Sequence, residues 1–123
     1  MKEIKFRAYD EESQKIYQIT DINFSDYSAN GVCCGEWKEF STNNLLQYTG
    51  LKDRNGVEIY SGDILKFKYT SSDYKKAYIE WNEEKASYDF VDNETKLNYS
   101  YNFRQINNIE VIGNVYEHKH LVE

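Results

Sequence analysis

Apolar and polar residues alternate one by one along much of the chain. The alternation is clearest over four segments, which are residues 4–8, 65–69, 79–81 and 97–103. Because successive side chains of a strand point to opposite faces of a sheet, each segment predicts a strand with one apolar and one solvent-facing side. One-sided strands of this kind are typical of antiparallel sheets. The pattern therefore predicts a mainly β fold.

Helix signals are weak and confined to two segments. Ser41-Thr42-Asn43-Asn44 precedes Leu45-Leu46 and predicts the capped start of a short helix, which Gly50 would end. Residues 117–123 would add one further turn at the C-terminus. Neither segment reaches the length at which an isolated helix is stable, so the sequence predicts only minor helix.

Residues that favour turns divide the chain, which contains no proline. Residues 28–31 predict a loop or hairpin tip. Asp53-Arg54-Asn55-Gly56 predicts a tight hairpin turn, because Asn and Gly tolerate the positive φ that such turns require. Ser61-Gly62 predicts another turn, in which the carboxylate of Asp63 accepts backbone hydrogen bonds.

Length and composition indicate a folded protein. Of the 123 residues, 40% are hydrophobic and 16% are aromatic, which is enough apolar area for a core without a disulfide or a metal. Antiparallel strands recur after residue 61 at spacings suited to a small SH3-like or barrel-type unit. We expect an N-terminal β segment with its hairpin over residues 1–60 and a small barrel-like module over residues 61–123, or one continuous domain over residues 1–123.

The net charge limits the classes of partner. The chain has 21 acidic and 15 basic residues, for a formal charge of −6. An acidic chain gains little from counterion release on a phosphate backbone, which disfavours general nucleic-acid binding and leaves a local basic patch as the alternative. Residues 1–5 are charged with no apolar segment behind them, and no run approaches the ~20 apolar residues of a membrane span. The sequence predicts a cytoplasmic protein with no membrane partner.

Residues that could carry catalysis or bind metal do not form a recognisable motif. His118 and His120 would share a face of a strand, but no third ligand has a matching spacing. The adjacent Cys33 and Cys34 match no redox or zinc motif, and adjacent cysteines rarely form a relaxed disulfide, so they predict small, partly buried side chains. Acidic clusters predict a solvated surface, with a metal-assisted hydrolase as the weaker alternative; they are Asp10-Glu11-Glu12, Glu83-Glu84, Asp89, Asp92 and Glu94. The sequence predicts no cofactor, no metal and no enzymatic activity.

Aromatic residues give the best candidate for a functional surface. The chain has 12 tyrosines, many for so small a core. Core packing is expected for most aromatic rings, but Tyr and Trp are also enriched at protein interfaces, and rings on a curved sheet stack bases in single-strand binders. The candidate interaction surface consists of Tyr69, Tyr78, Trp81, Tyr88, Tyr99 and Tyr101. The basic residues that would assist nucleic-acid binding are Lys66, Lys68, Lys75, Lys76 and Arg104.

Three segments, in the expected order, resemble the YopX family of phage and prophage proteins. They are IKFRAYD at residues 4–10, QYTGLKDRNGVEIYSGDIL at residues 47–65 and EVIGNVYE at residues 110–117. The resemblance implies a β-rich fold, a phage or prophage origin and self-association, and it implies no activity. The signature residues have a structural pattern. The glycines Gly50, Gly56 and Gly62 free the backbone. The polar residues Asp53 and Asn55 shape the hairpin, and the apolar residues Leu51, Ile59 and Ile64 would pack.

These observations lead to two hypotheses about function. The first is a non-enzymatic phage accessory protein that forms a homo-oligomer and binds a host or phage protein in the bacterial cytoplasm, since surplus apolar surface on a small protein favours symmetric assembly. The alternative is a single-stranded nucleic-acid-binding protein that uses the aromatic sheet face.

Overall fold

The computed structural model describes residues 3–69, 74–82, 84, 87–92, 95, 98–99 and 106–118. Within these residues the chain forms strands and one 3₁₀ turn: β1 (Phe6–Asp10), β2 (Lys15–Asn23), β3 (Ser28–Cys33), β4 (Glu36–Ser41), the 3₁₀ turn (Thr42–Asn44), β5 (Leu45–Lys52), β6 (Glu58–Tyr60), β7 (Asp63–Tyr69), β8 (Tyr74–Asn82), β9 (Ser87–Asp92), β10 (Asn98–Tyr99) and β11 (Ile106–Asn114). The predicted mainly β fold with antiparallel strands is confirmed.

The chain divides into two compact units, Met1–Tyr48 and Thr49–Glu123. Strand β5 begins in the first unit and ends in the second. The division predicted at residue 60 stays a prediction.

The sheet of the first unit is strongly curled. Its strands belong to a six-stranded sheet with the order β4-β3-β2-β1-β5-β6, so β1 and β4 would lie about 14 Å apart in a flat sheet with strands about 4.8 Å apart. Yet the Nζ atom of Lys38 on β4 lies 2.7 Å from Oδ1 of Asp10 on β1. A bulge in β2 between Ile19 and Asp21 adds local twist in the same unit. The curling turns one face of the sheet into an enclosed core.

A glycine inside β3 allows that core to close. Tyr17 and Phe40 pack edge to face with ring centroids 5.4 Å apart, beside the buried Ala8. A Cβ atom at Gly31 would lie 3.1 Å from Cβ of Tyr17 and 3.2 Å from Cε2 of Phe40. The prediction of a loop over residues 28–31 is therefore wrong: Gly31 serves close packing within a strand, not a turn.

The predicted helix after Ser41 is also wrong beyond its first turn. The Oγ of Ser41 accepts a hydrogen bond from the N–H of Asn43 at 3.2 Å, as the capping prediction requires. The helix ends after Asn44, and β5 begins at Leu45. Antiparallel pairing of residues 45–47 of β5 with β1 begins at once after this turn and outweighs the local helix preference. The second predicted helical turn, at residues 117–123, lies almost wholly outside the described residues.

The second unit contains a five-stranded sheet and a hairpin whose strand β6 is the last strand of the six-stranded sheet. The sheet order is β10-β9-β8-β7-β11, and every pair is antiparallel. The end of β5 and β6 form the hairpin. Side chains from both parts form one apolar cluster, made of Ile59, Leu65, Phe67, Ala77, Ile79, Phe90, Ile106 and Ile109.

The hairpin turn predicted at residues 53–56 is confirmed. The N–H of Asp53 donates to the carbonyl of Val57 at 2.8 Å, and the N–H of Gly56 donates to the carbonyl of Asp53 at 3.0 Å. Positive φ occurs at Gly56 (83°) but not at Asn55. Gly56 therefore supplies the left-handed conformation, while Asn55 remains in ordinary backbone space.

A buried carboxylate connects this turn to β11. Oδ1 of Asp53 accepts hydrogen bonds from the N–H groups of Asn55 at 2.8 Å and Val57 at 2.9 Å, and Oδ2 accepts from the N–H of Val111 at 2.9 Å. The N–H of Arg54 donates to the carbonyl of Ile109 at 2.9 Å. Burial would raise the pKa of Asp53, but the three backbone donors outweigh it and hold that pKa below its ordinary value. We call this arrangement of Asp53, Asn55, Val57 and Val111 the carboxylate clamp.

The second turn of the signature segment is built in a similar way. Gly62 has a φ of 89°, and a Cβ atom there would lie 2.6 Å from Cε2 of Tyr116, so no other residue fits without displacing that ring. The carboxylate of Asp63, only 1% exposed, accepts a hydrogen bond from the N–H of Tyr60 at 2.8 Å. The predicted role of Asp63 as an acceptor of backbone hydrogen bonds is confirmed.

Asp53→Ala is expected to destabilise the second unit by about 2–3 kcal/mol, because it leaves three N–H groups of part-buried hydrogen bonds without their acceptor. Urea unfolding followed by Trp81 fluorescence in a Trp37→Phe background measures this loss. Asp26→Ala is the matched control, since Asp26 accepts hydrogen bonds from Ser28 at an exposed turn, and it should cost less than about 1 kcal/mol. Equal losses in the two variants would contradict the clamp.

The Lys38–Asp10 pair makes the first unit sensitive to acid. Hydrogen bonds from Lys38 and Ser13 lower the pKa of Asp10 from 3.8 to about 2. Since this pKa is lower in the folded than in the unfolded chain, the stabilisation is complete above about pH 4 and is lost as the pH falls towards about 2. The difference in urea midpoint between wild type and Asp10→Asn, followed by Trp37 fluorescence in a Trp81→Phe background, should shrink over that range. A difference that stays constant between pH 4 and pH 2 would refute this assignment.

Candidate functional site

The structure divides the predicted aromatic surface between two faces of the second unit's sheet. Trp81 on β8 lies opposite Tyr88 on β9, whereas Tyr78 lies three positions before Trp81 and therefore points to the other face. The side chains of Tyr69 on β7 and Tyr99 on β10 lie outside the described part of the structure. So does the whole of Tyr101.

Trp81 and Tyr88 form a preformed aromatic pair at the edge of the core. Their ring centroids are 5.0 Å apart with an interplanar angle of 67°, an edge-to-face arrangement. Tyr88 packs against the apolar cluster, and burial raises its pKa. Trp81 remains 46% exposed. We call these two residues the aromatic pair.

The opposite face of the same sheet carries lysines beside tyrosines. In the register of β7 and β8, Lys66 lies opposite Lys76 and Lys68 lies opposite Tyr74. The Nζ atoms of Lys66 and Lys68 lie 4.4 and 4.7 Å from the centroid of the Tyr74 ring, which is itself 45% exposed. Tyr78 follows Lys76 on the same face. We call this set of five side chains the basic–aromatic face.

Carboxylates reduce the positive potential of the basic–aromatic face. Glu80 shares the face with Tyr78, whose pKa is raised by burial and, secondarily, by the charge of Glu80. Glu110 on β11 lies opposite Lys66 in the register. Of the other predicted basic residues, Lys75 lies opposite Phe67 and so belongs to the core face of the sheet, and Arg104 lies outside the described residues.

Acidic residues that could have served catalysis make local structural contacts. Asp89 accepts a hydrogen bond from Nδ2 of Asn82 at 2.8 Å, and Asp92 accepts one from the N–H of Thr95 at 2.9 Å. Asp10 is paired with Lys38 and Ser13, as described above. The described residues contain no group of three or more His, Cys, Asp and Glu side chains placed to hold a metal ion. Glu83 and Glu94 lie outside them.

The histidine segment also has a local role. The Nδ1 atom of His118 accepts a hydrogen bond from the N–H of Asn114 at 3.2 Å, and Asn114 Oδ1 accepts from the N–H groups of Tyr116 and Glu117 at 3.0 and 2.7 Å. These bonds fold the segment back on the end of β11. His120 lies outside the described residues, so the structure does not test whether the two histidines share a face.

The two cysteines lie at the turn between β3 and β4. Cys33 is half-buried and Cys34 is exposed, so the prediction of small, partly buried side chains is correct for Cys33 alone. Their Sγ atoms are 3.6 Å apart.

Sequence reasoning overlooked exposed aromatic residues in the first unit. Phe24 and Tyr27 lie in the turn between β2 and β3, and Trp37 on the edge strand β4 is 65% exposed. The position of Trp37 between Glu36 and Lys38, both polar, is the signal that could have indicated a short exposed strand.

Comparison with known proteins gives a family and a fold. The sequence model of the family described as YopX protein matches residues 5–123. The crystal structure of protein EF1440 from Enterococcus faecalis is similar, with a TM-score of 0.65 and 22% sequence identity over 100% of this chain and 100% of that chain; at that identity the likeness shows the fold alone. No curated protein matches the sequence at a significant level. Within the described part of the chain, no helix has the length and apolar character needed to cross a membrane.

Proposed function

The chain belongs to the YopX family, and from this membership and its surfaces we propose that it is a non-enzymatic accessory protein of phage or prophage origin. It works in the cytoplasm of the host bacterium through protein contacts, as a homo-oligomer that also binds a host or phage protein. It uses no cofactor.

The observation that carries this proposal is the aromatic pair. Trp and Tyr supply a disproportionate share of binding energy at protein interfaces. Ordering a side chain on association costs about 0.5–1.5 kcal/mol, and here the edge-to-face contact with Tyr88 holds the Trp81 ring in place before any partner arrives. Burial of the exposed part of Trp81 by a partner therefore contributes favourable binding free energy, and little side-chain entropy is lost because the ring is already held.

The use of buried polar groups supports a binding role over a catalytic one. Asp53 and Asp63 accept backbone N–H groups at two turns, and Asn114 does the same at the end of β11. These three side chains are among the four buried polar residues of the described chain. Their oxygens hold turns in shape, which is the work of a scaffold.

Light scattering coupled to size-exclusion chromatography tests self-association. The wild-type chain of 14.7 kDa is expected to elute as a multimer that dissociates on dilution. Trp81→Gln should lower the mass towards that of a monomer, because it removes the ring that the partner buries. Trp37→Gln is the matched control, since it removes the other exposed tryptophan from the first unit, and it should leave the mass unchanged.

A strictly monomeric mass at high protein concentration would contradict the proposal that the chain forms an oligomer. An equal loss of mass in the two tryptophan variants would show that the aromatic pair is not the contact surface. In both cases the scaffold role of the buried polar residues would be unaffected.

Single-stranded nucleic-acid binding is the second candidate, and the basic–aromatic face favours it. Lysine contacts over an exposed ring contribute about 0.5–1 kcal/mol, whereas stacking of one base on such a ring contributes about 1–3 kcal/mol. A base could therefore displace Lys66 and Lys68 from the Tyr74 ring, and the freed ammonium groups would then contact phosphates. The overall charge of −6 opposes this function, which places it second.

Fluorescence anisotropy with a labelled single-stranded oligonucleotide at low salt tests the second candidate. Lys66→Glu/Lys68→Glu should weaken binding at least tenfold and reduce the slope of affinity against salt by about 2. Lys15→Glu/Lys52→Glu changes the net charge by the same amount at two residues of β2 and β5, which are not strands of this sheet, and should have a smaller effect. If wild type shows no anisotropy change at low salt, nucleic-acid binding is ruled out.

A further inference from the structure

The turn between β3 and β4 has an unusual residue at its tip. Cys33 pairs with Glu36, so Cys34 and Gly35 form a two-residue loop. Both loop residues have positive φ, 54° at Cys34 and 82° at Gly35. Two-residue hairpin loops with two positive φ values normally use Asn-Gly or Asp-Gly. Residue types other than Gly, Asn and Asp, including Cys, rarely adopt positive φ. Cysteine at this position is locally unfavourable.

This conformation brings two thiols to the same side of the hairpin. Adjacent residues of a regular strand point to opposite faces, which would separate the thiol groups. The left-handed turn at Cys34 reverses that alternation, and the two Sγ atoms share a weak hydrogen bond at 3.6 Å. The backbone of the turn, not a neighbouring element, therefore sets the distance between the sulfurs.

The geometry suits chelation better than oxidation. A relaxed disulfide needs Cα atoms about 4.4–6.8 Å apart, while adjacent Cα atoms lie about 3.8 Å apart across a trans peptide. Bonds from thiolate sulfur to zinc measure about 2.3 Å. If one atom were bonded at about that distance to both sulfurs, which are 3.6 Å apart, the S–atom–S angle would be roughly 100°. The two thiols can hold one atom between them without movement of the backbone.

The number and type of ligand atoms near the two thiols indicate which class of metal or metalloid they could bind. Within the described residues, no third His, Cys, Asp or Glu joins the two cysteines in a metal-binding group. Zinc sites use three or four protein ligands, and hard cations use oxygen. Two sulfurs alone suit a soft, three-coordinate centre that brings its own third substituent.

We propose that Cys33 and Cys34 form a bidentate dithiol site for trivalent arsenic compounds of the type R–As=O. The reaction is R–As=O + 2 protein–SH → R–As(S–protein)₂ + H₂O. Two As–S bonds form, the As–O double bond breaks, and the oxygen leaves as water with both thiol protons. Arsenic remains trivalent, so no oxidant or reductant takes part.

The surroundings of the two thiols support this site. Cys33 packs against the core cluster of the first unit, which anchors one sulfur, and the exposed Cys34 leaves the site open to solvent. The contact with Cys34 and burial raise the pKa of the Cys33 thiol. A protonated thiol is no obstacle here, because the reaction consumes the thiol together with its proton.

Intact-mass spectrometry of the reduced, full-length protein with phenylarsine oxide tests the proposal. Wild type should bind one equivalent, retain it in excess monothiol and release it to a competing dithiol. Cys33→Ser and Cys34→Asn should each weaken binding roughly 10²–10⁴-fold, since the second bond is then no longer intramolecular. Cys34→Asn introduces the residue that this loop prefers, so the fold is retained.

A double variant distinguishes the effect of where the two thiols are placed from the effect of simply having two adjacent thiols. Val32→Cys/Cys34→Asn retains two adjacent cysteines but places both on β3, where their side chains point to opposite faces. This variant should lose the adduct to monothiol as readily as the single variants do. The proposal is overturned if the double variant binds as tightly as wild type, or if monothiol removes the compound from wild type.

Discussion

The buried carboxylate of Asp53 is the interaction on which the second unit depends. One oxygen serves the turn at Asn55 and Val57, and the other serves Val111, which lies 58 residues further along the chain. A carboxylate only 7% exposed is costly unless its acceptor sites are occupied. The turn and β11 must therefore be in place together, which makes a local signature segment part of a long-range contact.

Much of the fold could be predicted from the local sequence pattern, and the two wrong predictions, the loop at residues 28–31 and the helix after Ser41, have a common cause. The alternating segments 4–8, 65–69 and 79–81 lie mostly on strands, and the residue types of the Asp53–Gly56 turn indicate it directly. The segment 97–103 is described only at residues 98–99. Asn30-Gly31 has the same turn chemistry, yet it lies within β3 because Tyr17 and Phe40 need a residue without a side chain between them. The helix predicted after Ser41 gives way to β5 for a similar reason, since pairing with β1 is a tertiary contact.

The candidate surfaces were only partly predictable, because they depend on strand register. Aromatic content indicated Trp81 and Tyr88, but the strand predicted there began only at residue 79; the opposite face of Tyr78 follows because β8 begins at Tyr74. The contacts of Lys66 and Lys68 with Tyr74 require the pairing of β7 with β8 and cannot be read from composition. The buried side chains of Asp53, Asp63 and Asn114 hold their turns in shape.

Native-state hydrogen exchange at the amides of Val57 and Val111 tests the role of the clamp most directly. If Asp53 couples the turn to β11, both amides exchange only when the second unit unfolds as a whole, with the same opening free energy as core amides such as that of Leu65. Exchange of Val111 at a much lower opening free energy, while the core amides remain protected, would show that β11 detaches independently and would contradict the account.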